Sequence, residues 1–117
     1  MKKLKGKTHN WLWHFKGLNE RNVLLLINLK KSMQFRNVND TTIFSYQKDI
    51  YSFMLWLQEK NIDTLEATVD NLIEYLESLD ISDARRTRIL SSLNQMYKLN
   101  KKKNYCKENI VEKYRNK

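Results

Sequence analysis

Residues 39–57 read NDTTIFSYQKDIYSFMLWL, and the spacing within them decides the fold. Ile43, Tyr46, Ile50, Phe53 and Leu57 recur at steps of three and four, which puts five apolar side chains on one face of an α-helix. Asn39 or Asp40 supplies the side-chain oxygen that caps its first turn. A second line, Thr41, Ser45, Lys48 and Ser52, carries short polar groups and one cation turned away from that seam. Such a wall is either an ordinary solvated face or a surface that lets a phosphate backbone come close.

Helical spacing continues on both sides. Residues 20–35 predict a first full helix with Val23, Leu26, Leu29 and Met33 inward, and Lys30, Lys31 and Arg36 near the C-terminal end that favours cations. The stretch 36–39, RNVN, connects it to the central helix, which runs to about Lys60 with Asn61 as its stop. In 61–68, NIDTLEAT, Ile62 and Leu65 tuck under the bundle and Thr68 caps a third helix over 69–79. Val69, Leu72, Ile73, Leu76 and Leu79 form the apolar face of that helix, and Asp70, Glu74 and Glu77 face water. Ser82 opens a fourth helix whose inward line is Arg86, Ile89 or Leu90, Leu93, Met96 or Tyr97, and Asn100. Ile110, Val111 and Tyr114 suit one more short helix. The pattern predicts an all-α protein, a compact orthogonal bundle of four to five helices. The core spans 19–107, between a basic, aromatic segment at 1–18 and a basic C-terminal linker at 108–117.

Composition narrows the function. The 117 residues make one domain, large enough to bury a core without staples. The chain has no Pro and only Gly6 and Gly17, so Asn, Asp and Ser must do the punctuating. A single Cys, Cys106, cannot form an internal disulfide and suits a reducing cytoplasm, although nearby lysines favour its thiolate. The longest apolar run, Val23 to Ile27, is too short to span a bilayer, and no long apolar stretch follows the basic start as in a signal peptide. His9 and His14 lack further ligands nearby, so neither a metal nor another cofactor is expected. No paired carboxylates, nucleophile–base pair or phosphate-binding Gly loop points to an enzyme.

The charge is uneven. Residues 40–83 hold ten acids against Lys48 and Lys60, a balance of −8, while the chain totals +9, leaving +17 on the flanks. A basic footprint of that size points to a polyanion. The fourth helix carries Arg85, Arg88, Ser92 and Gln95 along its outward line. Arginine and glutamine form bidentate contacts to guanine and adenine edges, respectively. The crowded arginines otherwise pair with acids of the third helix. Lys101, Lys102 and Lys103 offer a phosphate-contacting end. Trp11, Trp13 and Phe15 either dock on the bundle behind an Asn10 cap or anchor a partner, as a helical interaction module would.

The stretch from about residue 24 to 111 resembles the core-binding, SAM-like N-terminal domain of the tyrosine recombinase (phage integrase) family. The carrying residues are Thr42-Ile43 with Tyr46, Asp49-Ile50 and Phe53; Ala67-Thr68 through Leu72, Tyr75 and Leu76; Ser82 through Arg88; and Leu90-Ser91-Ser92-Leu93 with Tyr97. Asn104 through Asn109 is similar to the family's exit toward its linker. This chain has Asn109-Ile110 where the family usually has Asn-Pro, and Asn94 and Met96 where it usually has a base and a Phe.

The resemblance implies half of a clamp around double-stranded DNA, with the second and fourth helices against the major groove. Thr41, Thr42, Ser45 and Lys48 would grip the backbone. Arg85, Arg86, Arg88, Ser92 and Gln95 complete the expected surface with the three lysines at 101–103. The family's catalytic Arg, His, Arg and Tyr have no counterpart here, so a catalytic domain of the same parent chain is expected beyond residue 117. Other recombinase subunits in a synapse are the remaining expected partners, and no membrane is expected.

Overall fold

In the computed structural model, which describes residues 14–116, the elements are α1 (Glu20–Phe35), α2 (Asp40–Glu59), a 3-10 turn (Thr64–Glu66), α3 (Val69–Glu77), α4 (Asp83–Lys102) and α5 (Ile110–Arg115). They form a small, all-helical bundle. Helix α2 is its axis: Ile43, Ile50, Phe53, Met54 and Leu57 are sealed from solvent. Tyr46, expected in that seam, is only half-buried, and Gln47 takes a place inside it. Gln47 is tolerated there because its amide Nε2 donates to the Leu26 carbonyl of α1 at 3.0 Å.

Helices α1 and α4 lay their stripes on α2 much as their spacing predicts, α3 meets it through Tyr75 against Phe53 and Trp56, and α5 packs on α3 and α4. Helix α1 contributes Leu25, Leu26, Leu29 and Met33, with Val23 at the margin. Helix α4 contributes Ile89, Leu90, Leu93, Met96 and Tyr97, and α3 contributes Leu72, Tyr75 and Leu76. Arg86 does not join the inward line of α4; it pairs with Asp83 at 3.3 Å, one turn back. The acidic side chains of α3, Asp70, Glu74 and Glu77, are exposed as expected. Among the described residues no helix is long and apolar enough to cross a membrane.

Both expected boundaries of the core move outward. Phe15 is buried against Phe44 and Tyr51, with ring centroids 5.8 and 5.2 Å away. The segment leading into α1 is then tied down along α2. Tyr51 Oη donates to the Lys16 carbonyl at 2.7 Å, and Gln58 Nε2 donates to the Gly17 carbonyl at 2.8 Å. Gly17 adopts φ +87°, a left-handed conformation that glycine takes without a Cβ penalty. Of the three aromatics expected to dock or to bind a partner, Phe15 docks; Trp11 and Trp13 lie outside the described residues. At the other end Ile110 and Val111 are buried in the core, so α5 is part of the bundle and 108–117 is not a linker hung from it.

Asparagine does the punctuating that glycine and proline do elsewhere. Asn19, Asn39 and Asn109 cap the N-termini of α1, α2 and α5, while Thr68 and Ser82 cap α3 and α4. Asn37, Asn61 and Asn104, just past the ends of α1, α2 and α4, all take φ near +60° (64°, 59° and 64°). Each closes a Schellman motif: the next residue's N–H reaches back to Met33, Leu57 and Asn100, respectively, at 3.0, 3.0 and 2.8 Å. Asn is the non-glycine residue that accepts this conformation at least cost. Asn61→Ala is expected to destabilise the fold by about 1 kcal/mol, and Asn61→Gly to leave it unchanged or more stable, as read by urea unfolding.

Candidate nucleic-acid interface

The polar line of α2 starts at its cap. Asn39 Oδ1 accepts the Thr42 N–H at 2.8 Å. That leaves the Thr41 side chain exposed and Thr42 and Ser45 half-buried on the outer wall. Lys48 is exposed one turn further on, with Nζ 5.5 Å from the Phe44 ring centroid.

Helix α4 lies beside this wall because of a residue within the wall helix itself. Asp49 is only 4 % exposed, and a buried carboxylate must find donors. Ser92 Oγ donates to its Oδ2 at 2.7 Å, Arg85 Nη2 stands 3.1 Å from Oδ1, and Arg88 Nε stands 3.9 Å from Oδ2. Arg88 Nη2 also donates to Ser45 Oγ. Two guanidinium groups of α4 thus close on one carboxylate of α2. The alternative reading of the crowded arginines, pairing with acids of the third helix, is not what they do: Arg85 and Arg88 meet Asp49 of the second helix, and Arg86 meets Asp83 of its own.

Tyr75 of α3 borders this cluster. Burial pushes its phenol up to about 12; Asp49 adds to the rise, and Arg85 pulls it back.

The polar lines of α2 and α4 meet in a shallow depression lined by Thr41, Thr42, Ser45, Tyr46, Arg88 and Ser91. No carboxylate is among the six. Of the other expected contacts, Ser92 must be withdrawn: it is 1 % exposed, and its hydroxyl is committed to Asp49. Arg85 keeps 44 % of its side-chain surface but does not line the depression. Gln95 is half-buried, further along α4.

The lysine run at the end of α4 is exposed, with Lys101 3.7 Å from Glu112 of α5. Cys106 is half-buried, its thiol pushed up by burial rather than down by the lysines, although Lys101 offsets part of the rise. Among the described residues no three His, Cys, Asp or Glu side chains group as metal ligands.

Asp49 is the site residue that spacing alone misses. Its position was the available signal: it sits between Tyr46 and Phe53 at helical steps, so it borders the apolar seam. A carboxylate there demands a cation, and the turn at 85–88 holds three of the chain's six arginines.

Comparison with protein-family models, with curated proteins and with solved structures finds no match.

Removing one partner of a buried pair leaves the other uncompensated. Asp49→Ala is expected to cost about 2–3 kcal/mol in urea unfolding, toward the low end for a buried pair because the arginines are half in water. Ser92→Ala is expected to cost about 1 kcal/mol. Between pH 10 and 12 the unfolded chain releases the Tyr75 proton that the folded chain keeps, so stability falls as pH rises through this window. Tyr75→Phe is expected to make that fall shallower in unfolding curves taken from pH 9 to 12.

Proposed function

We propose that this domain binds double-stranded DNA through the joined polar faces of α2 and α4. In this reading it is the core-binding domain of a phage- or transposon-type tyrosine recombinase and positions that enzyme on its attachment site. The observation that carries the reading is the shared depression, where hydroxyls of α2 meet Arg88 and Ser91 of α4 with no acid among the lining residues. Small hydroxyls allow close approach to a backbone, and the guanidinium supplies the charge that holds a phosphate. The chain's net charge of +9 supports the same partner.

The mechanism is positioning. Lysines and arginines replace condensed counterions on the duplex, which supplies most of the affinity. Thr41, Thr42 and Ser45 set the register on the backbone, and Lys48 and Lys101 to Lys103 widen the footprint. Gln95 adds modest base preference. Strand cleavage belongs to a catalytic domain of the same parent chain, which meets other recombinase subunits in a synapse in the cytoplasm. A second reading, a helical protein-interaction module, draws on Phe35, which is 89 % exposed at the end of α1.

Fluorescence anisotropy with a labelled duplex tests the first reading. For roughly five to eight neutralised phosphates, log affinity is expected to fall against log salt with a slope of about −4 to −7. Lys48→Glu is expected to weaken binding several-fold without moving the melting temperature. Binding that ignores both salt and Lys48→Glu would reject the proposal.

A further inference from the structure

The two arginines that meet Asp49 are held differently. Asp49 Oδ1 has Arg85 at 3.1 Å, while Oδ2 already accepts Ser92 Oγ at 2.7 Å. Arg88 lies at 3.9 Å from the oxygen that Ser92 serves, and its side chain is the more exposed, 59 % against 44 %. Asp49 therefore needs Arg85 and does not need Arg88. Arg88, not Arg85, lines the depression, with Ser45 as its hydrogen-bond acceptor and Thr41, Thr42 and Ser91 around it. Two guanidinium charges against one carboxylate leave a net +1 at the surface end of the cluster.

We infer that this depression seats a single phosphate group held by Arg88, while Arg85 stays on Asp49 as a positioning residue that never reaches the ligand. The inference deepens the duplex reading and rests on it for the source of the phosphate. The chemistry is a charge-assisted contact from a guanidinium that gives up a long, half-solvated ion pair. Hydroxyl donors on both helices serve the remaining oxygens. The buried carboxylate is not stripped of its partners when the ligand arrives, because Arg85 and Ser92 both remain.

Arginine Nε–Hε signals in ¹H–¹⁵N spectra separate the two roles, with inorganic phosphate in one arm and a short duplex in the other. The Arg88 signal is expected to shift in both arms, and the Arg85 signal in neither. Arg88→Ala is expected to weaken duplex binding about tenfold and to reduce the salt slope by about one, with the melting temperature held. Arg85→Lys keeps a cation against Asp49, so it is expected to bind the duplex within about twofold of the unaltered protein.

An Arg85 signal that moves with the ligand, or an Arg85→Lys variant as weak as Arg88→Ala, overturns the division of roles. An Arg88 signal that answers phosphate but not duplex sustains the seat and overturns the DNA reading. Silence of Arg88 in both arms, alongside duplex binding that still depends on Lys48, overturns the seat and leaves the DNA reading standing.

Discussion

The fold depends on placing one charge where charge is expensive. Asp49 lies on α2, the helix that α1 and α4 pack against, bordering its apolar seam, and it is almost wholly buried. Such a carboxylate must be met by donors from the neighbouring helix, or the two helices will not seat. Arg85, Arg88 and Ser92 occupy steps of three and four on α4, so one face of that helix presents all three donors at once. Apolar stripes slide and rotate against each other at little cost; a buried carboxylate with directional partners does not. The pair therefore fixes the register of α4 on α2, and with it the juxtaposition of the two polar lines.

A second polar thread ties down the opposite end of the bundle. Tyr97 Oη donates to the Thr64 carbonyl at 2.6 Å, and Thr64 Oγ1 donates to Asn22 Oδ1 at 2.7 Å. Asn22 Nδ2 donates to Gln58 Oε1 at 2.8 Å, and Gln58 in turn holds the Gly17 carbonyl. The chain of bonds runs from α4 through the 3-10 turn and α1 to α2 and the segment before α1. Its members are neutral, so it costs less to bury than the Asp49 cluster, yet each is matched to a specific partner. Among the described side chains no buried polar atom lacks a hydrogen-bond partner. Hydrophobic burial supplies the drive to collapse, and these two polar systems select one collapsed arrangement.

That division explains what could be read from the sequence. The helices were legible because their apolar residues recur at helical steps and because Asn, Thr and Ser stand at their ends. The four long inward stripes follow from that periodicity alone. The interior polar residues were not legible in the same way. Gln47, Asp49 and Ser92 interrupt a hydrophobic pattern, and their polarity reads as outward; only their partners, more than twenty positions away in sequence, bring them in. The ends of the core were misplaced for a related reason. Phe15 and Ile110 each precede or follow a basic run, and local charge outweighs a single apolar residue in any sequence window, whereas in three dimensions each is buried in the core.

The same cluster reconciles an acidic middle with a basic surface. Residues 40–83 carry a net −8, and α2 and the start of α4 lie within that stretch, which argues against a phosphate-binding wall there on charge counts alone. Charge counts ignore depth. Asp49 is internal and locally neutralised by Arg85, and the acids of α3 are exposed on a helix that contributes nothing to the lining of the depression. What remains at the α2–α4 junction is the surplus of one guanidinium and a set of hydroxyls. Burial of one carboxylate thus removes a repulsive charge from the surface, holds two cations in place behind it, and leaves the more loosely held of the two facing outward.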